Sequence, residues 1–270
     1  MKKLLDWIDK DKLEWFYLSA NSNAIELIIE NPEKINWHQL STNINAIELL
    51  KENPGKICWS SLCCNQNAIE LIKENPEKIN WHQLSRNINA IEILKANQDK
   101  ICWYSLCCNE NAIEILKANQ DKINWDILSY NCNAIEILKK NKNKIDWSLL
   151  SCNYNAIEIL KENEYKIDWE LLCENKNAIE LIKENKDKVN WSILSTNPNA
   201  IEILKENQDK IDWTMLSLNP SIFIYDYEKM RNSNQDLKEE IIAAALNPKR
   251  IFRLLEIYDK DEVYNAYFNY

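Results

Sequence analysis

Apolar and polar positions recur along this chain at a fixed interval. Trp15, Trp37, Trp59, Trp81, Trp103, Trp125, Trp147, Trp169, Trp191 and Trp213 stand 22 residues apart, and only Trp7 falls outside the series. Within one interval, Ile79 to Lys100, the pattern predicts two short helices. Trp81 and Leu84 are three apart and share a helical face. Asn80 is placed to cap their first turn, in a slot that is Asn or Asp in most copies (Asn36, Asn124, Asp146, Asp168, Asn190, Asp212). Ala90, Ile91, Ile93 and Leu94 give the second helix a broad apolar stripe. Asn89 and Glu92 have the spacing of a capping box, and their Asn-Ala-Ile-Glu tetrad returns at Asn45, Asn67, Asn111, Asn133, Asn155, Asn177 and Asn199. Asn97 and its equivalents are expected to end the helix in a left-handed conformation, because the chain holds a single Gly.

Helices this short are unstable alone and must bury their stripes on neighbours. The pattern therefore predicts an all-α fold, an α-solenoid of about ten 22-residue helix–turn–helix repeats with helical caps at both ends. Stacked at the usual helix spacing, it would run on the order of 90–100 Å along its axis. The indole rings are expected in the core, between layers. A leucine-rich horseshoe also admits a period of 22, and Ile-x-Trp-x-x-Leu-Ser-x-Asn faintly matches its strand. The strongly helical Asn-Ala-Ile-Glu segment argues against it. Three regions follow: an N-terminal cap at 1–14, expected to be helical; the solenoid at 15–220; and a C-terminal helical cap at 221–270. In that last region, helices are expected at 237–246 and 251–257.

These units resemble the short Trp/Asn-Ala-Ile-Glu repeat proteins that giant double-stranded DNA viruses encode in many copies. The resemblance covers about residues 15–220 and extends into Ile222-Phe223-Ile224-Tyr225-Asp226-Tyr227 and the segment Ala243 to Ile251. That family commonly has His before Pro, where this chain has Asn247. The resemblance implies a viral origin, within an infected host's cytoplasm or the virion, and no particular chemistry.

Charge narrows the partners. A net charge of −9 and a pI near 5.0 make phosphate backbones and anionic lipid poor targets. Asp6, Asp9 and Asp11 interrupt what would otherwise imitate an export signal after Met1-Lys2-Lys3-Leu4-Leu5. No stretch is apolar enough to span a bilayer. An intracellular, non-secreted protein with reduced thiols is expected.

Candidate chemistry is sparse. Cys58, Cys63 and Cys64 recur as Cys102, Cys107 and Cys108, inside a block duplicated wholesale after 44 residues. Cys63, Cys107 and Cys173 occupy a slot otherwise filled by Ser41, Ser85, Ser129, Ser151, Ser195 and Ser217. Blocks two repeats apart would lie roughly 20 Å from each other, too far to share a metal. His38 and His82 form no visible acid–base pair. The regular glutamates read as helix caps, and the regular lysines as charge offsets between coils. No catalytic residue, metal or cofactor is expected.

What varies between copies is more informative. The slots one, five and seven residues after Trp change freely and include Tyr104, Arg86, Tyr130 and Tyr154. The slot two after Trp is polar early (Gln39, Ser61, Gln83, Ser105) and apolar later (Ile127, Leu149, Leu171, Ile193, Met215). That later row is expected to be covered by the tail, a partner or a second copy. These nine residues, Arg86, Tyr104, Tyr130, Tyr154 and the five aliphatics, are the expected partner-binding set. The expected function is a non-enzymatic scaffold for an unidentified protein partner. The alternative is a self-assembling structural protein, a homo-oligomer. A nucleic-acid solenoid is less favoured, for want of a basic stripe.

Overall fold

The computed structural model describes residues 2–233 and, farther on, Ile251, Arg253, Leu254, Tyr258, Lys260 and Val263. The chain divides into two units, Lys2–Ile224 and the remainder from Tyr225 together with Met1. In the second unit Tyr227–Ser233 is helical, and Asp226 Oδ1 accepts from the Lys229 amide at 3.0 Å. The helix expected at 237–246 lies outside the described residues. Ile251, Arg253 and Leu254 are helical, as expected.

The first unit carries the repeats. Ten Trp helices run from Trp15–Leu18 to Trp213–Leu216, and nine second helices from Ile25–Ile29 to Ile201–Glu206. Each second helix is followed by a 3-10 turn such as Pro76–Lys78 or Gln98–Lys100. The leucine three residues after each Trp is fully buried in all ten copies, from Leu18 to Leu216. Burying a leucine contributes about 1.5–3 kcal/mol, so this row and the equally buried row on the second helices, from Ile28 and Leu50 to Ile182 and Leu204, dominate the core, and the smaller Ala24 to Ala200 row is buried with them. The tryptophans do not lie between layers as expected: each is half-buried at the edge of the core. A lysine nineteen residues on covers the ring face that the core leaves bare, as in Lys100 over Trp81 at 4.8 Å and Lys144 over Trp125 at 4.2 Å. Such a cation–π contact stabilises by about 0.5–1 kcal/mol at an exposed site. The lysine row therefore shields indoles.

The asparagines also act differently from expectation. Asn87 turns inward and is buried; its side-chain amide donates to the carbonyls of Cys63 (3.0 Å) and Asn65 (2.9 Å) in the preceding coil. Its own Oδ1 accepts from the Asn89 amide at 3.0 Å, closing an Asx turn. Asn89 is thereby released from capping, and its Nδ2 reaches the Gln66 carbonyl of the preceding coil at 2.9 Å. The capping box does not form: the residue before the helix is Ala90, with no side-chain cap, and Glu92 pairs forward with Lys95 at 2.9 Å. Nor does Asn97 adopt a left-handed backbone. Its φ is −135°, and its Nδ2 instead satisfies the Ile93 carbonyl at 2.9 Å. The serine slot links coils too. Ser41 Oγ donates to the Trp37 carbonyl at 2.8 Å and accepts from the Cys58 amide at 3.0 Å. Cys63 substitutes there, accepting from the Asn80 amide at 3.3 Å.

These inter-coil bonds do not stop at the last repeat. The Asn21 amide donates to the Ser217 carbonyl at 2.9 Å and the Asn219 carbonyl at 3.0 Å, the pair of bonds that Asn43 makes to Ser19 and Asn21. The Glu14 amide donates to Ser217 Oγ at 2.8 Å, Asn23 Nδ2 donates to the Pro220 carbonyl at 2.8 Å, and Lys12 stacks on Trp213 at 4.8 Å. Each repeats, across the seam, a contact found between consecutive coils. The solenoid is therefore a closed ring of ten coils, not an elongated stack with two ends.

The tenth coil is shared by both chain ends. The C-terminal side supplies Trp213–Leu216 and the turn Pro220–Ile222; the N-terminal side supplies the 3-10 turn Lys10–Lys12 and the buried Leu13. Where a tenth second helix would stand, strand β1 (Lys2–Leu4) pairs with strand β2 (Phe223–Tyr225). The Leu5 amide extends the join to the Ile222 carbonyl at 2.9 Å. The N-terminal segment, expected to be helical, is thus a strand and a half-coil.

Closure has a measurable signature. Asn131→Ala removes two buried inter-coil bonds and an Asx-turn bond, and should cost about 3 kcal/mol in urea unfolding. Asn21→Ala should cost about as much, because its amide is equally buried at the seam. A near-neutral Asn21→Ala beside a costly Asn131→Ala would mean an open solenoid.

Candidate functional site

Two observations show which wall of the ring faces inward. Neighbouring Trp helices pack on one another, Trp125–Tyr130 on Trp147–Cys152 and that on Trp169–Leu172. Between successive second helices, grooves of about 320 to 350 Å³ open instead, one lined by Lys95, Ile101, Glu114 and Ile115. The Trp helices thus occupy the smaller radius. Second, Tyr154 Oη reaches both carboxylate oxygens of Glu110 at 3.1 Å, two coils away. Such reach requires a tightly concave surface, on which long side chains of alternate coils meet although the blocks that carry them were expected roughly 20 Å apart.

On each Trp helix the buried Leu three after Trp and the buried Ser or Cys four after it point outward to the core. At about 100° per residue, the slots two and five after Trp point the opposite way, into the lumen, with slot one beside them. Slot seven lies in the adjoining turn. These four slots, the most variable between copies, therefore form the inner wall; the 3-10 turns after the second helices also vary, as at Pro76, Gln98, Lys142 and Glu164. The second helices outside repeat nearly the same Ile-Glu-Ile/Leu-Leu/Ile-Lys sequence nine times.

The expected binding residues meet on this wall. Tyr104 (55 % exposed), Arg86 and Tyr130 are open to the lumen, and Tyr154 is half-buried. Lys176 Nζ stacks 3.7 Å from the Tyr154 ring centroid. Burial raises the Tyr154 phenol, with Cys132 and Glu110 adding to the effect; burial and then Glu174 raise Tyr130. Ile127, Leu149, Leu171, Ile193 and Met215 are half-buried side by side. They are neither bare nor fully covered. Ring closure puts Tyr17 next after Met215, so the apolar row spans six consecutive coils. Gln39, Ser61, Gln83 and Ser105 make up the other four.

Sequence reasoning missed one pairing. His38 Nδ1 lies 3.2 Å from Cys58 Sγ and 3.0 Å from Ser61 Oγ, and the duplicated His82, Cys102 and Ser105 match it at 3.2 and 3.0 Å. The signal was an offset of 20 residues, two short of the repeat, which puts the two side chains in adjacent coils. Burial pushes the Cys58 thiol up, but hydrogen bonds from Ser61 and His38 outweigh it and hold the thiol below its ordinary value. Cys152 is the opposite case, pushed up to about 12 by burial and then by Glu174. Among the described residues, no three His, Cys, Asp or Glu side chains gather to hold a metal ion. No described helix is long and apolar enough to cross a membrane.

No protein-family model, no curated protein and no solved structure matches this chain.

Thiolate is the reactive form of cysteine, so the two environments predict an order of labelling. At pH 8, iodoacetamide should alkylate Cys58 well before Cys152, and His38→Gln should slow Cys58 alone. Peptide mapping by mass spectrometry reads both rates; equal rates at the two thiols would contradict the assigned environments.

Proposed function

We propose that the protein is a non-enzymatic interaction scaffold that binds its partner on the inner wall of the ring. One observation carries this reading: differences between repeats are greatest in the four lumen-side slots, while the second helices outside are nearly uniform. A surface that recognises something asymmetric needs such differences, and the ten-fold frame alone cannot supply them. Tyr104, Tyr130 and Arg86 supply the residue types that anchor protein interfaces. Closure weighs against end-to-end assembly, since no coil is left with an open face. The viral origin implied by the repeat and tail resemblance fits a partner in an infected cell and is part of the same proposal.

A display library of random peptides, selected on the immobilised chain, tests the choice of wall. The slot already holds Gln at Gln39 and Gln83, so Leu149→Gln with Leu171→Gln is compatible with the fold. Selected binders should lose at least tenfold in affinity for that double variant. They should be indifferent to Lys117→Glu with Lys139→Glu on the outer wall. The reverse dependence, or no binder at all, would sink the proposal.

A further inference from the structure

The closed ring gives the lumen two chemically opposite sides. In a ring of ten, each coil faces the one five repeats away, 110 residues along the chain. The coils of Leu149, Leu171, Ile193 and Met215 therefore face those of Gln39, Ser61, Gln83 and Ser105, of which Ser61 and Ser105 are themselves buried. The polar side is held in place. Gln83 Oε1 accepts from Cys64 Sγ at 2.8 Å, and Ser61 and Ser105 are tied to His38 and His82. The apolar side has no such ties and stays half-exposed.

Width limits the occupant. Ten inner helices spaced about 8 Å apart lie on a circle about 26 Å across; subtracting one helix diameter leaves a passage of about 15 Å. An α-helix with its side chains measures about 10–12 Å. An extended strand is only about 4.8 Å thick across its hydrogen-bonding edges and leaves the wall untouched there, and a folded domain is too wide to enter.

Charge limits it further. The four lumen-side slots hold two cations, Arg86 and Lys176, against Asp126, Glu110, Glu170 and Glu174, a balance that disfavours nucleic acid. Lys176 lies on Tyr154, and Glu110 is engaged by the Tyr154 hydroxyl. The Arg86 guanidinium, exposed on the polar side, makes no ion pair with another described residue.

We propose that the lumen receives an amphipathic α-helix of a partner protein, its apolar stripe on the row from Ile127 through Met215 to Tyr17 and a carboxylate of its polar face on Arg86. This rests on the inner wall being the binding face, and it adds the shape, orientation and charge of what binds. The rows two and five after Trp form two tiers about 4.5 Å apart, so two to three turns of the guest would fill the contact. Recognition would combine burial of a helical stripe with a single charge-assisted bond.

The test uses three labelled 18-residue synthetic peptides and the full chain. One carries a Leu stripe with a Glu-rich opposite face, one has Lys for Glu, and one is the acidic peptide scrambled. Fluorescence polarisation should show the acidic amphipathic peptide binding at least tenfold tighter than the scramble, and circular dichroism should show it gaining helix when bound. Arg86→Gln should erase the preference for Glu over Lys while leaving the dependence on the Leu stripe. Leu149→Gln with Leu171→Gln should remove that dependence. Equal binding of the scramble, binding without helix, or an intact acidic preference in Arg86→Gln overturns the proposal. So does a concentration-dependent dimer that the peptides cannot compete with, which would make a second copy the occupant. Display-selected binders that need Leu149 and Leu171 yet lack a helical stripe would defeat this inference alone. Binders indifferent to the inner wall would defeat the underlying reading as well.

Discussion

The ring depends on one buried side chain repeated ten times, the asparagine whose amide donates to two carbonyls of the preceding coil while its oxygen closes its own turn. Three bonds with fixed partners leave little freedom in how one coil sits on the next. A buried amide left unpaired costs about 1–3 kcal/mol, so a coil cannot slip or splay without penalty. The same small rotation is therefore repeated from coil to coil, and ten of them complete a full turn. The two buried rows of leucine and isoleucine supply most of the driving force, but aliphatic packing has no direction. The amides supply the direction, and with it the radius.

Much of this could be read from the residues. The Trp interval fixed the repeat, and Trp–Leu spacing with Asn-Ala-Ile-Glu located both helices to within a residue or two. Asn36 and Asn80 cap the Trp helices as their position suggests. What escaped was whatever depends on the neighbouring coil. The Asn-Ala-Ile-Glu tetrad matches a local capping pattern, but its Asn bonds a carbonyl 23 residues back, and no local rule weighs that competitor. The tryptophans looked like core because they are large and periodic; the covering lysine, nineteen residues away, makes the edge position tolerable. Closure was hidden for a plainer reason. Its contacts join residues about 200 apart in sequence, such as Glu14 and Ser217. In hindsight, Asp9-Lys10-Asp11-Lys12-Leu13-Glu14 aligns with Asn31-Pro32-Glu33-Lys34-Ile35-Asn36, a half-repeat awaiting its other half.

Of the candidate site, the positions were legible but their convergence was not. Slots one, two, five and seven after Trp stood out only because they vary. The helical phase set by the buried Leu and Ser turns that variation to one side, and the curvature set by the asparagines gathers it around a passage. A polar-to-apolar change that looks like a gradient along a line becomes, on a circle, two facing arcs. The outer wall carries exposed ion pairs such as Lys73–Glu70 and Lys117–Glu114, each worth about 0–1 kcal/mol. Those pairs repeat from one second helix to the next, where the interior changes from coil to coil.

The coil divided between the two termini has a bearing on biosynthesis. Leu5, Lys12 and Glu14 leave the ribosome ahead of the repeats, and their partners at Ile222, Trp213 and Ser217 are made more than 200 residues later. At about 5–20 residues per second, the nascent arc waits roughly 10–40 seconds with its leading edge unpaired. During that interval its first coil offers unpaired amide donors, Glu14 N–H and the side chains of Asn21 and Asn23, and apolar side chains to any similar arc nearby. Neighbouring nascent chains on one messenger could then join to each other before either closes on itself, so translation speed and ribosome spacing bear directly on the yield of single rings.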